Sequence, residues 1–194
     1  MRIATQKDKN LVTKVLHSSF VNITTANSIN FVVKQDKNRS KRLLFLAEYM
    51  FNIAYSFGEV YISDNENACL LIVYPHNKKN TYKTICWDIQ LAIKTIGFNK
   101  ILKVLRREQQ LKKYHINEPH IHPLVLGVSQ EMQGKGIGPR LIKEVFEYHK
   151  HNTLPCIIET TSESNLKLYK RFGFTIFKKT HEFNYPLYFL RKDF

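Results

Sequence analysis

Residues 124–141 read LVLGVSQEMQGKGIGPRL, and the reading of this stretch decides the fold. The apolar run Leu124 to Val128 predicts a buried strand, and the segment from Gly136 onward predicts a helix. Between them lies Gln133-Gly134-Lys135-Gly136-Ile137-Gly138, a loop of small residues that opens directly onto the helix. The chain has seven glycines, and four of them (Gly127, Gly134, Gly136, Gly138) fall within this stretch. Glycine admits positive φ and close approach of backbone to a ligand. A helix start offers unpaired N–H groups and the positive end of a dipole, a combination that suits phosphate. A plain helix entry would not need three alternating glycines.

Spacing excludes two familiar phosphate loops. A P-loop requires a glycine five residues before the Gly-Lys pair, and that position is Ser129. The dinucleotide fingerprint G-x-G-x-x-G fails at its third glycine, which falls on Pro139 or on Leu141. The remaining pattern, Q-x-x-G-x-G after a strand and before a helix, resembles the acetyl-coenzyme A pyrophosphate loop of the GNAT superfamily of N-acetyltransferases.

Residues 156–177, CIIETTSESNLKLYKRFGFTIF, strengthen that resemblance. They predict strand, short helix, tight turn and strand. Asn165 and Tyr169 stand four apart and so share a helix face. Gly173 suits the left-handed residue that ends the helix, with Phe174 opening the next strand. This is similar to the last GNAT motif, in which a helix asparagine contacts coenzyme A and a tyrosine stands near its sulfur. The commoner separation in the superfamily is seven, which would place the asparagine at Ser162. The four-residue separation resembles a bacterial subgroup that includes puromycin-type acetyltransferases, as does the strand entry EPHIHPLVLGV.

With 194 residues, 43% hydrophobic and 12% aromatic, the chain supplies one substantial core rather than two. MRIATQKDKN is polar with no apolar core behind it, so no signal peptide is expected. Leu43 to Phe57 is interrupted by Glu48 and Asn52 and is too short to span a bilayer. Cys69, Cys86 and Cys156 are widely spaced and, with the scattered histidines, form no metal template. A cytoplasmic, metal-free protein is expected.

Charge is uneven. Residues 1–115 hold 19 Lys/Arg against 8 Asp/Glu, and the remainder 11 against 8. The excess gathers in KQDKNRSKR (Lys34 to Arg42) and KILKVLRREQQLKK (Lys100 to Lys113). Both read first as solvated faces, then as attraction for an anionic cosubstrate. A sequence pI of 9.7 is also the footprint of nucleic-acid binding, but no nucleic-acid motif accompanies it.

The expected order is a strand at MRIAT, a helix from about Asp8 to Phe20, and an irregular polar stretch over 21–37. A long helix over Asn38 to Phe57 follows, then a hairpin (GEVYIS, ACLLIVYP) and two helical stretches, Thr84 to Ile96 and Asn99 to Tyr114. The second half alternates strand, glycine loop, helix to about His151, strand, short helix, strand, and a last strand near Tyr185 to Arg191. This matches the GNAT fold, an α+β arrangement with a mixed, mostly antiparallel central sheet of six to seven strands flanked by helices. One domain over residues 1–194 is expected, with the specific resemblance confined to 118–190.

The resemblance implies acetyl transfer from acetyl-coenzyme A to an amine of a small molecule or peptide. Backbone N–H groups of residues 134–138 would ring the pyrophosphate, with Gln133, Lys135, Ile137 and Arg140 alongside and Asn165 on the coenzyme. Pro139 departs from the usual serine or threonine and removes one donor. Leu126, Gly127 and Val128 would pair with the pantetheine arm, with the Val128 N–H near the acetyl oxygen. Tyr169 would protonate the departing thiolate. An amine of pKa near 10 must lose a proton at neutral pH; Glu159 is the first candidate base and His120 the second, ahead of His122 and Glu118. A homodimer is a family expectation. The competing reading is a non-catalytic acyl-coenzyme-A-binding or nucleic-acid-binding protein on the same fold.

Overall fold

The structure is a computed structural model and describes residues 1–182 and 185–194. In chain order it runs β1 (Arg2–Ile3), α1 (Lys9–Phe20), α2 (Ser28–Val32), α3 (Arg39–Phe57), β2 (Gly58–Ile62) and β3 (Ala68–Val73). Then come α4 (Tyr82–Leu91), α5 (Ile101–Lys112), β4 (His122–Val128), α6 (Ile137–Tyr148), β5 (Cys156–Thr160), α7 (Glu163–Arg171), β6 (Thr175–Thr180) and β7 (Leu187–Lys192). The seven strands form two antiparallel sheets, ordered β1-β2-β3-β4 and β5-β7-β6. Among the described residues one parallel bridge, between Ile121 and Cys156, joins them.

The run ACLLIV shows no polar alternation because β3 is buried on both faces. Cys69, Leu71 and Val73 turn toward α1 and α3, packing with Val12, Leu16, Phe51 and Ala54. Leu70 and Ile72 turn the other way, onto Leu141, Ile142 and Val145 of α6. The same period-two pattern places Leu126 and Val128 of β4 on the α6 side, and Val125 with α1 and α3. β4 is thereby held by core packing on both faces while its far edge faces β5.

Residues 21–37 were expected to be irregular, but α2 lies within them. Asn27 caps it, its Oδ1 accepting from the Asn30 N–H at 2.9 Å. Arg39 then ties the preceding loop down, donating to the carbonyls of Val21 (2.6 Å) and Ile23 (2.7 Å) and to Asn30 Oδ1 (2.8 Å). Arg42 is paired with Asp36 at 2.9 Å. Two of the cations of the first basic stretch are therefore structural ties, not a free solvated face.

The predicted helical pair at 84–114 forms as α4, a π-helical turn (Ala92–Ile96), a 3-10 turn (Phe98–Lys100) and α5. Gly97, at φ +77°, makes the reversal between them. Thr81 caps α4, and its hydroxyl accepts from the Thr84 N–H at 3.2 Å. The second basic stretch also sends one arginine inward. Arg107 is buried and donates to Ser28 Oγ and Tyr185 Oη, both at 2.9 Å.

Candidate active site

Below the Ile121–Cys156 bridge β4 and β5 part, and a cleft of about 770 Å³ opens between them. Its walls include Pro123 to Leu126 of β4, Ile158 to Thr160 of β5, and Asn165, Leu168 and Tyr169 of α7. The far wall is the end of α1, α2 and the loop between them, the segment that Arg39 fixes.

The edge of β4 presents unpaired backbone to this cleft. The Ser129 N–H donates to the Asn67 carbonyl at 2.8 Å, and pairing continues as Cys69↔Gly127 and Leu70↔Leu126. In an antiparallel ladder hydrogen-bonded pairs alternate. Residues 129 and 127 therefore bond toward β3, and Leu126 and Val128 turn their N–H groups toward the cleft. The Val128 carbonyl is occupied, accepting from Ser19 Oγ at 2.7 Å and Gln133 Nε2 at 3.1 Å. Gly127 serves packing rather than bending: a Cβ there would stand 2.8 Å from Leu16 Cδ2 and 3.0 Å from Ser19 Oγ. Its missing side chain lets α1 lie directly on β4.

The glycine loop has the conformation that the sequence called for at two positions. Gly134 and Gly136 take φ of +75° and +76°, a region costly for any residue with a Cβ. Both are exposed, and nothing lies within 4 Å of where a Cβ would stand. α6 begins at Ile137 with no side-chain cap, so its first N–H groups have no intrahelical acceptor. Gly138 differs from the expectation that groups it with the loop. It lies inside α6, where a Cβ would come within 3.2 Å of Val128 Cγ2 and 3.4 Å of Leu126 Cδ2. It brings helix and strand together. Pro139 falls in the first turn, where a missing N–H breaks no helical bond. Lys135 is exposed beside Met132, and Arg140 is held by Glu144 at 3.0 Å.

α7 is terminated by Gly173 at φ +86°, with the Phe174 N–H donating to the Tyr169 carbonyl at 3.1 Å. Asn165 and Tyr169 both reach the cleft. The Tyr169 ring packs edge-on against Phe174 at 5.8 Å, and burial pushes its phenol up to about 12. Its hydroxyl makes no hydrogen bond among the described residues, whereas the hydroxyls of Tyr49, Tyr61, Tyr74 and Tyr188 each meet a carboxylate.

Glu159 lines the same cleft and has a partner that local sequence did not indicate. His115, just past α5, places Nε2 2.6 Å from Glu159 Oε1. Burial pushes the Glu159 carboxyl up, but the His115 bond and the charges of His122, His115 and Arg107 outweigh it and hold it below its ordinary value. The Glu159 bond in turn raises His115. His120, the second candidate base, does not line the cleft. It is buried, with Nδ1 2.8 Å from the Glu118 carbonyl, and burial lowers it. His122 stands beside it, lowered by burial, with Nδ1 3.2 Å from the Ile157 carbonyl. One cleft thus gathers Leu126, Gln133, Glu159, Asn165 and Tyr169, and His120 stays behind it.

Residues 87–176, spanning the π turn, α5, β4, the glycine loop and α7, match the family model of the acetyltransferase (GNAT) domain. Over those residues the chain resembles a GNAT acetyltransferase domain. Solved structures with this fold agree over the whole length. A histone acetyltransferase HPA2-related protein of Corynebacterium glutamicum is 19% identical with a TM-score of 0.70, covering 99% of this chain and 94% of that one. Arylalkylamine N-acetyltransferase 2 of Aedes aegypti is 16% identical with a TM-score of 0.63, covering 99% and 97%. An N-acetyltransferase of Staphylococcus aureus is 15% identical with a TM-score of 0.55, covering 99% and 100%. In this chain the seven described strands split into two sheets at β4 and β5. Among the described residues no group of three His, Cys, Asp or Glu is placed to hold a metal, and no helix is long and apolar enough to cross a membrane.

Proposed function

We propose that the chain is a single-domain N-acetyltransferase that moves an acetyl group from acetyl-coenzyme A to an amine. The observation that carries this reading is the meeting in one cleft of an unengaged tyrosine hydroxyl, a half-buried carboxylate and the free edge of β4. The donor fits the residues present. The uncapped start of α6 and the exposed backbone at Gly134 and Gly136 would receive a pyrophosphate, each such contact contributing roughly 0.3–1 kcal/mol. The N–H groups of Leu126 and Val128 would hold the pantetheine arm and acetyl oxygen, and Asn165 would touch the coenzyme. A donor aimed at a developing oxyanion is worth about a hundredfold or more in rate.

The acceptor ammonium binds at Glu159 and loses a proton, which passes to His115 and then to water, since the His115 side chain is 38% exposed. The freed nitrogen forms a bond to the acetyl carbon, and the carbon–sulfur bond breaks. Of the two protons the nitrogen loses, one reaches solvent by this route; Tyr169 gives its own proton to the thiolate, and the second nitrogen proton restores the phenol. A phenol near 12 is protonated at every neutral pH, as an acid must be. The excess of lysine and arginine attracts the anionic donor.

The test is direct. The purified chain, supplied with acetyl-coenzyme A and a panel of amines, should release thiol and acetylated amine in equal amounts. Tight acetyl-coenzyme A binding with no acetylated product from any amine would favour the non-catalytic reading.

A further inference from the structure

Among the described residues that line the cleft, Glu159 is the only side chain charged at neutral pH. The wall made by α1, α2 and their connection shows Phe20, Ile23 and Ile29 with the neutral Thr25 and Asn27. Behind that wall stands a cation. Arg107 is buried, its guanidinium donates to Ser28 and pairs with Glu108 at 2.7 Å, so no spare anion faces the cleft from this side. The chain as a whole carries a formal charge of +14.

These features choose among amines. A polyamine or an aminoglycoside brings several ammonium groups, and each needs an anionic or polar partner once it leaves water. The cleft gives one carboxylate, and its other polar groups, such as Thr25, Asn27 and Thr160, are neutral and pair with an ammonium more weakly than a carboxylate does. A second ammonium would lose its hydration and find no second anion among the described residues of the lining. One ammonium on an apolar body meets the opposite situation: the charge pairs with Glu159, and the body leaves water against Phe20, Ile23 and Ile29. We propose that the acceptor is a primary monoamine on an uncharged, largely apolar aryl or alkyl body. This rests on the acetyl-transfer reading above and narrows its acceptor to one class.

The experiment compares kcat/KM for thiol release with 2-phenylethylamine, hexylamine, spermidine and kanamycin, using the full chain and acetyl-coenzyme A. The monoamines should exceed both polycations by at least about tenfold. Spermidine or kanamycin at parity or better would overturn the proposal. Ile23→Glu adds a second carboxylate to this wall at a position already 36% exposed, where the fold tolerates charge. It should raise kcat/KM for spermidine several-fold while lowering it for hexylamine; an unchanged ratio would contradict the electrostatic argument. Failure of the acetyl-transfer reading looks different, with no thiol released from any of the four. Calorimetric titration of the coenzyme A complex then decides the acceptor class alone: tighter hexylamine supports the proposal, and tighter spermidine overturns it.

Discussion

His115 Nε2 lies 2.6 Å from Glu159 Oε1, so a residue that follows the inserted helix α5 sets the charge of a carboxylate on β5. The pair lowers Glu159 and raises His115 from their ordinary values. It also couples the site to pH.

That coupling predicts a pH profile. With the ammonium bound at Glu159, proton removal needs a neutral His115. The logarithm of kcat/KM should rise with a slope of about one below the folded pKa of His115, which lies above 6.5, and level off above it. In His115→Gln the proton must go to water, and the rise should continue toward the amine's own pKa near 10. Superimposable profiles for the two proteins would remove His115 from the mechanism.

The same pair predicts a stability window. Glu159 has a folded value below 4.5, so its contribution is present above that value and lost as pH falls through the folded one. His115 has a folded value above 6.5, so its contribution is complete below 6.5 and lost as pH rises through the folded value. Both are complete between the two. The difference in Tm between the native chain and His115→Ala should peak there, at roughly 2–4 °C for a partly exposed pair, and shrink on both sides. Thermal denaturation across pH 4 to 9 measures it.

Gly136→Val should separate binding from folding. The position is exposed at φ +76° with open space around it, so the fold survives. A β-branched residue at positive φ costs about 1–3 kcal/mol in this backbone conformation, and the loop relaxes away from it. Calorimetric titration should show acetyl-coenzyme A bound at least about tenfold more weakly, by the same energies. Unchanged affinity would place the pyrophosphate elsewhere.

Gly127→Ala should do the reverse. The new methyl would stand 2.8 Å from Leu16 Cδ2 and force α1 off β4. Overpacking of this kind costs about 1–3 kcal/mol, readable by urea denaturation. A stability equal to that of the native chain would show that α1 yields freely.

What sequence reveals here is what sits close along the chain. The glycine loop, Asn165 with Tyr169, and the Gly173 helix stop each lie within one turn and its flanks, where spacing translates directly into geometry. The long helices and the hairpin were equally legible from periodicity. His115 was not, because it is 44 residues from its partner and approaches it only after α4 and α5 fold back. The short helix α2 was missed because five residues carry too little periodicity, and its stability comes from the Asn27 cap and the Arg39 ties. Gly127 and Gly138 looked like ligand glycines in sequence, but packing of α1 and α6 on β4 accounts for both.

The most direct test is Tyr169→Phe, which removes one hydroxyl and keeps the ring's contact with Phe174. Steady-state thiol release with a responsive monoamine should fall by roughly two to four orders of magnitude, from pH 6 to 9, while acetyl-coenzyme A affinity and Tm hold. Near-normal turnover in the Tyr169→Phe protein would contradict the account and reduce Tyr169 to a packing aromatic.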